Sequence, residues 1–142
     1  MFIYGKTSAN AIAVLSYLAA DPSKRAGSAE IAKDRGISKA LTAKLLTQLA
    51  GAGLVTGQPG PGGGYTLGKP AKEITLMSIA SLFEQMEIPP LCPFGHSWCG
   101  QGDPCPLHVP LAKMVSVNRL FLEETRLSVF MGETKRKRSI KR

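Results

Sequence analysis

Apolar residues recur at helical spacing from about Lys6 to Ala20, where Ile12, Leu15 and Ala19 share a face with Val14 and Leu18 alongside. The polar string "DPSKRAG" breaks that pattern. Ser28 is expected to cap a short helix over Ala29 to Arg35, because its hydroxyl can accept from a free amide of the first turn. Gly36 ends this helix, and Ser38 caps the next, Lys39 to about Ala50. A short helix, a tight glycine-containing turn and a second helix form the pattern of a helix-turn-helix. In the second helix Leu41, Leu45 and Leu49 share one face, with Leu46 at its edge. Lys39, Ala40, Ala43, Lys44 and Thr47 fall on the opposite side. Alanines let a helix approach base edges and touch a thymine methyl, and lysines reach phosphate or guanine. Taken alone, the same face also suits an ordinary solvated helix.

The string "GLVTGQPGPGGGYTLGKP" predicts a strand at Leu54 to Thr56, a glycine-proline loop and a second strand at Tyr65 to Leu67. A hairpin placed directly after a helix-turn-helix reads as a wing. Gly60, Gly62, Gly63 and Gly64 permit positive φ and close backbone approach to a phosphate backbone or minor groove. Next, "EITLMSIASLFEQME" predicts a helix capped by Thr75, with Leu76, Ile79, Leu82 and Phe83 facing inward. Farther on, Leu107, Leu111, Met114, Val115 and Leu122 keep helical spacing, Asn118 lies on the same stripe, and Val117 and Leu120 add apolar area on another face. A helix apolar on two sides needs its own domain and a partner subunit to pack on. Leu111, Met114, Val115, Asn118, Phe121 and Leu122 are the expected dimerisation residues, with Asn118 as a polar residue that fixes register in the seam.

These patterns predict a mainly α chain with a small β-hairpin wing: a winged helix-turn-helix domain plus a long C-terminal dimerisation helix. The expected organisation is a DNA-binding domain over 1–86, a cysteine-rich cluster-binding loop over 87–108, a dimerisation helix and C-terminal segment over 109–131, and a basic tail over 132–142.

Composition adds one refinement. A chain of 142 residues with 44% apolar content suits one domain with a real core. Its net charge of +8 is unevenly placed, since the final string KRKRSIKR holds six of the eighteen basic side chains. Residues 1–134 therefore carry twelve basic against ten acidic groups, so the body is only mildly basic. The tail reads as a solvated arm, serving either solubility or phosphate contact. No stretch reaches the ~18 apolar residues of a membrane span. "ANAIAVLSYLAA" fits an amphipathic helix better than a signal peptide, and three cysteines do not pair off as a secreted disulfide framework. A cytoplasmic protein with no membrane partner is expected.

All three cysteines and both histidines fall in "LCPFGHSWCGQGDPCPLH", residues 91–108, spaced Cys92-x6-Cys99-x5-Cys105-x2-His108. Gly95, Gly100 and Gly102, with Pro93, Pro104 and Pro106, keep the segment out of helix and let it wrap a small object. A metal or cluster site, structural zinc and a thiol switch all fit. A cysteine nucleophile with His108 as base lacks an orienting third residue and an oxyanion hole, so no enzyme is expected.

The strings "AIAVLSYLA", "AEIAKDRGIS" and "GLV…GPGGGYTLGKPAKEITL", together with the cysteine loop, resemble the bacterial winged-helix iron–sulfur transcriptional regulators of the IscR and NsrR type. The likeness runs to about residue 131, and the wing string and the cysteine loop are its specific parts. It implies a homodimer crossed by long C-terminal helices, each subunit placing a recognition helix in a major groove of a pseudo-palindromic double-stranded DNA operator. It also implies an iron–sulfur cluster in the loop whose state sets DNA affinity. Expected DNA contacts are Ser38, Lys39, Ala40, Ala43, Lys44, Thr47 and Gln48 on the helix, and Gln58, Gly60, Gly62, Gly63, Gly64 and Tyr65 on the wing.

Three departures qualify the resemblance. Where the family often carries arginine before the Gly-Pro of the wing, this chain has Pro59 preceded by Gln58, and a glutamate common in the recognition helix is replaced by Ala43. Base readout must therefore differ. Where some members ligate the cluster through an aspartate near the first helix, the matching position is Ala9, flanked by Ser8 and Asn10. Three thiolates leave one cluster position open, and His108 is the natural fourth ligand, with His96 as its rival. The expected metal ligands are Cys92, Cys99, Cys105 and His108, with a 2Fe–2S cluster favoured over 4Fe–4S. A zinc-stapled DNA binder without sensing and a basic RNA-binding module are the competing classes.

Overall fold

The computed structural model describes residues 4–84 and 105–133. The first helix, α1 (Lys6–Ala20), buries Ala11, Val14, Leu15, Leu18 and Ala19 in the core. Its N-cap, Gly5, has no side chain to accept from the first amides, and a carboxylate distant in sequence takes the amide of Gly5 itself. Glu84 accepts from the Gly5 amide at 2.5 Å and from the hydroxyl of Ser8, a residue fully buried among apolar neighbours. The negative carboxylate also complements the positive end of the helix dipole.

Helix α2 (Ser28–Arg35) differs from expectation at its start. Ser28 is the first helical residue, and the N-cap is Gly27 in an extended conformation, with no side-chain cap. At the other end Gly36 takes φ 67 and returns its amide to Ala32, the left-handed stop for which glycine has no steric cost. The chain then enters α3 (Lys39–Gly51), where the Ser38 hydroxyl accepts from the Leu41 amide at 3.1 Å. Leu45, Leu46 and Leu49 are fully buried, whereas Leu41 is half-buried. The fourth inward position is Thr42, which is polar in sequence but 0% exposed; its hydroxyl donates to the Ser38 carbonyl at 2.9 Å and so brings no unmet polarity into the core.

Strands β1 (Val55–Gln58) and β2 (Gly64–Leu67) pair antiparallel, Val55 opposite Leu67 and Gln58 opposite Gly64. Both reach closer to the hairpin tip than the hydrophobic pattern implied, because pairing continues through Gly57, Gln58 and Gly64, which carry no hydrophobic signal. A third strand-like contact joins Ala26 to Tyr65 through bonds of 3.1 and 2.8 Å, fastening the wing to the start of α2.

A single 3-10 turn (Ala71–Glu73) leads into α4 (Leu76–Ala80), capped by Thr75 accepting from the Ser78 amide at 3.1 Å. Leu76 and Ile79 are buried, but Leu82 is 44% exposed, because the regular helix ends at Ala80 and the periodicity stops with it. Helix α5 (His108–Glu124) ends well before residue 131. Beyond it, the Leu76 amide donates to the Thr125 carbonyl and the Leu127 amide to the Ile74 carbonyl, both at 2.9 Å, so the exiting chain pairs alongside the entry to α4. A closing 3-10 turn (Leu127–Phe130) lies against α1, with Leu127 fully buried. Among the described residues no helix is long and apolar enough to cross a membrane.

Candidate nucleic-acid interface and cysteine site

Helix α3 exposes Lys39, Ala40, Ala43, Lys44, Thr47 and Gln48, and Ser38 at its cap is exposed as well. Their common exposure follows from the burial of Thr42, Leu45, Leu46 and Leu49 on the other side. At about 100° per residue, the exposed positions run around the outward arc in the order Lys39, Ala43, Thr47, Ala40, Lys44 and Gln48, so Ala43, Thr47 and Ala40 lie between the two lysines. Thr47 turns its hydroxyl back onto the Ala43 carbonyl at 3.0 Å.

The wing is shaped by backbone requirements. Gly60 and Gly62 take φ 87 and 74. At Gly63 a Cβ would sit 2.1 Å from the Gln58 carbonyl oxygen, and at Gly64, φ 132, it would collide with the backbone of Ala26 at 2.9 Å. Gln58 and Gly60 are exposed, and Tyr65 is half-buried against the core, with its amide and carbonyl both bonded to Ala26. Tyr65 is thus also a structural anchor, a role its place in a wing motif did not reveal.

Between α1 and α2 lies a polar cluster that sequence patterning missed. Arg35, at the end of α2, donates through Nε to the Ala13 carbonyl at 3.0 Å and to Ser16 at 3.3 Å, and its guanidinium lies over the Tyr17 ring. Tyr17 donates to Glu30, which also pairs with Lys24 at 3.5 Å. Removal from solvent, then the hydrogen bond and negative charge of Glu30, push the Tyr17 phenol up to about 12. The unread signal was three charged or aromatic residues placed for one helix-helix contact.

Of the expected metal ligands, Cys105 and His108 are described, while Cys92, Cys99 and the rival His96 lie outside the described residues. Cys105 is 3% exposed and His108 is exposed in the first turn of α5; the His108 amide donates to the Cys105 carbonyl at 3.0 Å. A buried sulfur and an imidazole on one turn suit soft-metal ligation, and among the described residues no three such donors converge. Ala9, at the position of the family's alternative ligand, is half-buried in α1.

The expected dimerisation stripe divides. Met114 and Phe121 are 46% and 42% exposed, Leu111, Val115 and Asn118 are half-buried, and Leu122 is 1% exposed. Leu122 belongs to the chain's own core, because the last turn of α5 packs on α4. The most exposed apolar residues of the helix are instead Val117 at 65%, Val109 at 57% and Leu120 at 52%. An apolar face this open, on a helix whose one buried residue is Leu122, calls for a cover.

Comparison with known proteins matches this arrangement. The Rrf2 family model, described as "Iron-dependent Transcriptional regulator", matches residues 4–133. The transcriptional regulator IscR of Pectobacterium carotovorum is 38% identical over 80 residues, covering 56% of this chain and 48% of that protein. Protein aau3 of Rhizobium meliloti is 35% identical over 107 residues, covering 75% of this chain and 70% of its own length. The chain spans about half the length of the IscR relatives it matches. Among solved structures, CymR, the global cysteine regulator of B. subtilis, superimposes with a TM-score of 0.77 at 20% identity over 92% of this chain and 97% of CymR. T. potens IscR gives 0.67 at 18% identity over 97% and 90%. Those two likenesses are of winged-helix fold, and the sequence match over nearly the whole chain is decisive: the chain belongs to the Rrf2 family of transcriptional regulators.

Proposed function

We propose that this chain is a homodimeric, operator-binding regulator whose DNA affinity is set by chemistry at Cys92, Cys99, Cys105 and His108. The carrying observation is that one chain presents an exposed Lys39–Gln48 face and a glycine-built wing, and starts its longest described helix, the one with an open apolar face, at the Cys105–His108 turn. Lys39 and Lys44 supply phosphate or guanine contacts, the exposed Ala40, Ala43, Thr47 and Gln48 enter the major groove, and the wing from Gln58 to Tyr65 lies along the backbone or minor groove. The open face of α5 around Val117, Leu120, Met114 and Phe121 packs against its copy, which fits a pseudo-palindromic operator.

Three thiolates and one imidazole suit an iron–sulfur cluster, 2Fe–2S in preference to 4Fe–4S, and replacement of a thiolate by neutral imidazole removes a negative charge. When bound, such a cluster supplies a redox- or nitric-oxide-sensitive centre. Cys105 and His108 then join that centre to the first turn of α5, and so to the dimer face. Anaerobic purification with iron, sulfide and zinc assays, on wild type and His108→Ala, tests this reading. About two irons and two sulfides per chain, with an altered spectrum in the variant, are expected. Stoichiometric zinc, or no metal with reversible thiol oxidation, would overturn the cluster reading and leave a zinc-stapled or thiol-controlled DNA binder.

A further inference from the structure

Between Lys39 and Lys44, the outward face of α3 carries methyl groups rather than side chains built to hydrogen-bond a base. Ser38 uses its oxygen as acceptor for the Leu41 amide at 3.1 Å. Thr47 donates its hydroxyl proton to the Ala43 carbonyl at 3.0 Å, so that proton is committed within the helix and the side chain offers a base its methyl and, at most, an acceptor oxygen. Ala40 and Ala43 present only methyl groups, and all three residues are exposed and lie between Lys39 and Lys44 around the helix. No acidic side chain stands on the exposed arc of α3 to accept from cytosine and no arginine to take guanine, so the guanine-capable donors are the two lysines, Lys39 and Lys44, on either side of the methyl-bearing residues. Gln48, at the edge of the arc, is the one uncharged side chain with a free donor and acceptor pair, the chemistry that reads adenine at N6 and N7.

We infer that α3 reads its half-site chiefly through thymine C5-methyl groups, packed against Ala40, Ala43 and Thr47, with Gln48 fixing one adenine. The inference rests on the operator-binding reading above and names what that interface recognises. Lys39 and Lys44 then flank the methyl stripe as backbone contacts, which hold the helix in register but carry little sequence information. Small side chains serve this purpose because a thymine methyl gains from apolar contact only if the helix backbone comes close. The exposed Gly51 at the end of the helix, where a Cβ would meet nothing of the chain itself, leaves the same close approach open at its last turn.

The test begins with selection of the full chain, under anaerobic conditions, on a random duplex library. The expected consensus is two equal half-sites whose selected positions are A·T pairs. Each selected thymine is then replaced in turn by deoxyuridine, which deletes the C5-methyl and keeps every hydrogen-bonding group. Loss of a buried methyl weakens binding about fourfold at each contacted position. Thr47→Ser removes the side-chain methyl and keeps the hydroxyl, so it makes one deoxyuridine substitution silent; Thr47→Val keeps the methyl and leaves that position sensitive. Gln48→Ala, an exposed and helix-compatible change, relaxes the preference at a single adenine by about tenfold or more.

A consensus dominated by G·C pairs, or uniform indifference to deoxyuridine, overturns the methyl readout while leaving sequence-selective duplex binding intact. Absence of any selected sequence overturns both this inference and the operator-binding reading on which it rests.

Discussion

The guanidinium of Arg35 stacks over the ring of Tyr17, 5.2 Å from its centroid, and binds the α2 terminus to the middle of α1. The Arg35 side chain is only 11% exposed, and its Nε also holds the Ala13 carbonyl at 3.0 Å. Arg35 is the last residue before the turn into α3, so its grip bears on where α3 starts. Arg35→Ala is expected to lower stability by about 1–3 kcal/mol in urea unfolding. Arg35→Lys should recover little, because lysine lacks the planar face that covers the ring.

Tyr17 gives a pH signature. Its phenol is raised from 10.0 to about 12, first by desolvation and then by Glu30, with Arg35 opposing. The folded state therefore favours the protonated form. That contribution is complete below pH 10 and disappears as pH rises through about 12. Unfolding titrations across this window should show a decline that Tyr17→Phe flattens; equal slopes in both proteins would exclude Tyr17 as its source.

The α3 cap is a single hydroxyl. Ser38→Ala removes the acceptor for the Leu41 amide and is expected to cost about 1 kcal/mol. Ser38→Gly should cost less despite deleting more atoms, because glycine at an N-cap leaves room for water on the amides. Chemical denaturation of the two variants checks the order.

In the wing, Gly63→Ala places a Cβ 2.1 Å from the Gln58 carbonyl oxygen, a clash that only backbone movement can relieve. Since the core is built elsewhere, the melting temperature should change by only a few degrees. Affinity for a selected operator should fall about tenfold or more, as measured by fluorescence anisotropy.

Two substitutions on α5 should behave oppositely. Val117→Glu, on the 65% exposed face, is expected to convert a dimer to monomers in sedimentation while leaving each monomer folded. Leu122→Ala removes a side chain that is 1% exposed in the chain's own core and should cost about 2–5 kcal/mol of folding stability. Retention of the dimer in Val117→Glu would move the interface away from this face.

Much of this was legible in the sequence, for identifiable reasons. Leucines at helical spacing, the Ser38 and Thr75 caps and the glycine wing each report local physics, and each appears where local physics places it. The features that were missed depend on distant partners. Ser28 looked like a cap by type, yet the wing's bond to Ala26 fixes the chain so that Gly27 takes that place. Leu122 shares a stripe with Met114, but only the docking of α5 decides which edge of the stripe faces inward. Thr42 and Ser8 are polar letters at buried positions, made tolerable by the Ser38 carbonyl and by Glu84. At the cysteine site the sequence supplies the donor types and spacing, and Cys105 and His108 stand together at the start of α5.

The pairing of Ile74–Leu76 with Thr125–Leu127 has one more consequence. It makes the polypeptide from α4, through the cysteine-bearing stretch, to the end of α5 into a ring whose clasp is two backbone hydrogen bonds of 2.9 Å. The clasp is riveted to α1 through the buried Leu127 and the turn that follows it. A ring held in this way cannot let α5 swing free at its far end. On the proposed reading, a change at Cys105 and His108 would therefore reach the open face of α5 as a change of angle about that clasp, not as a free swing of the helix.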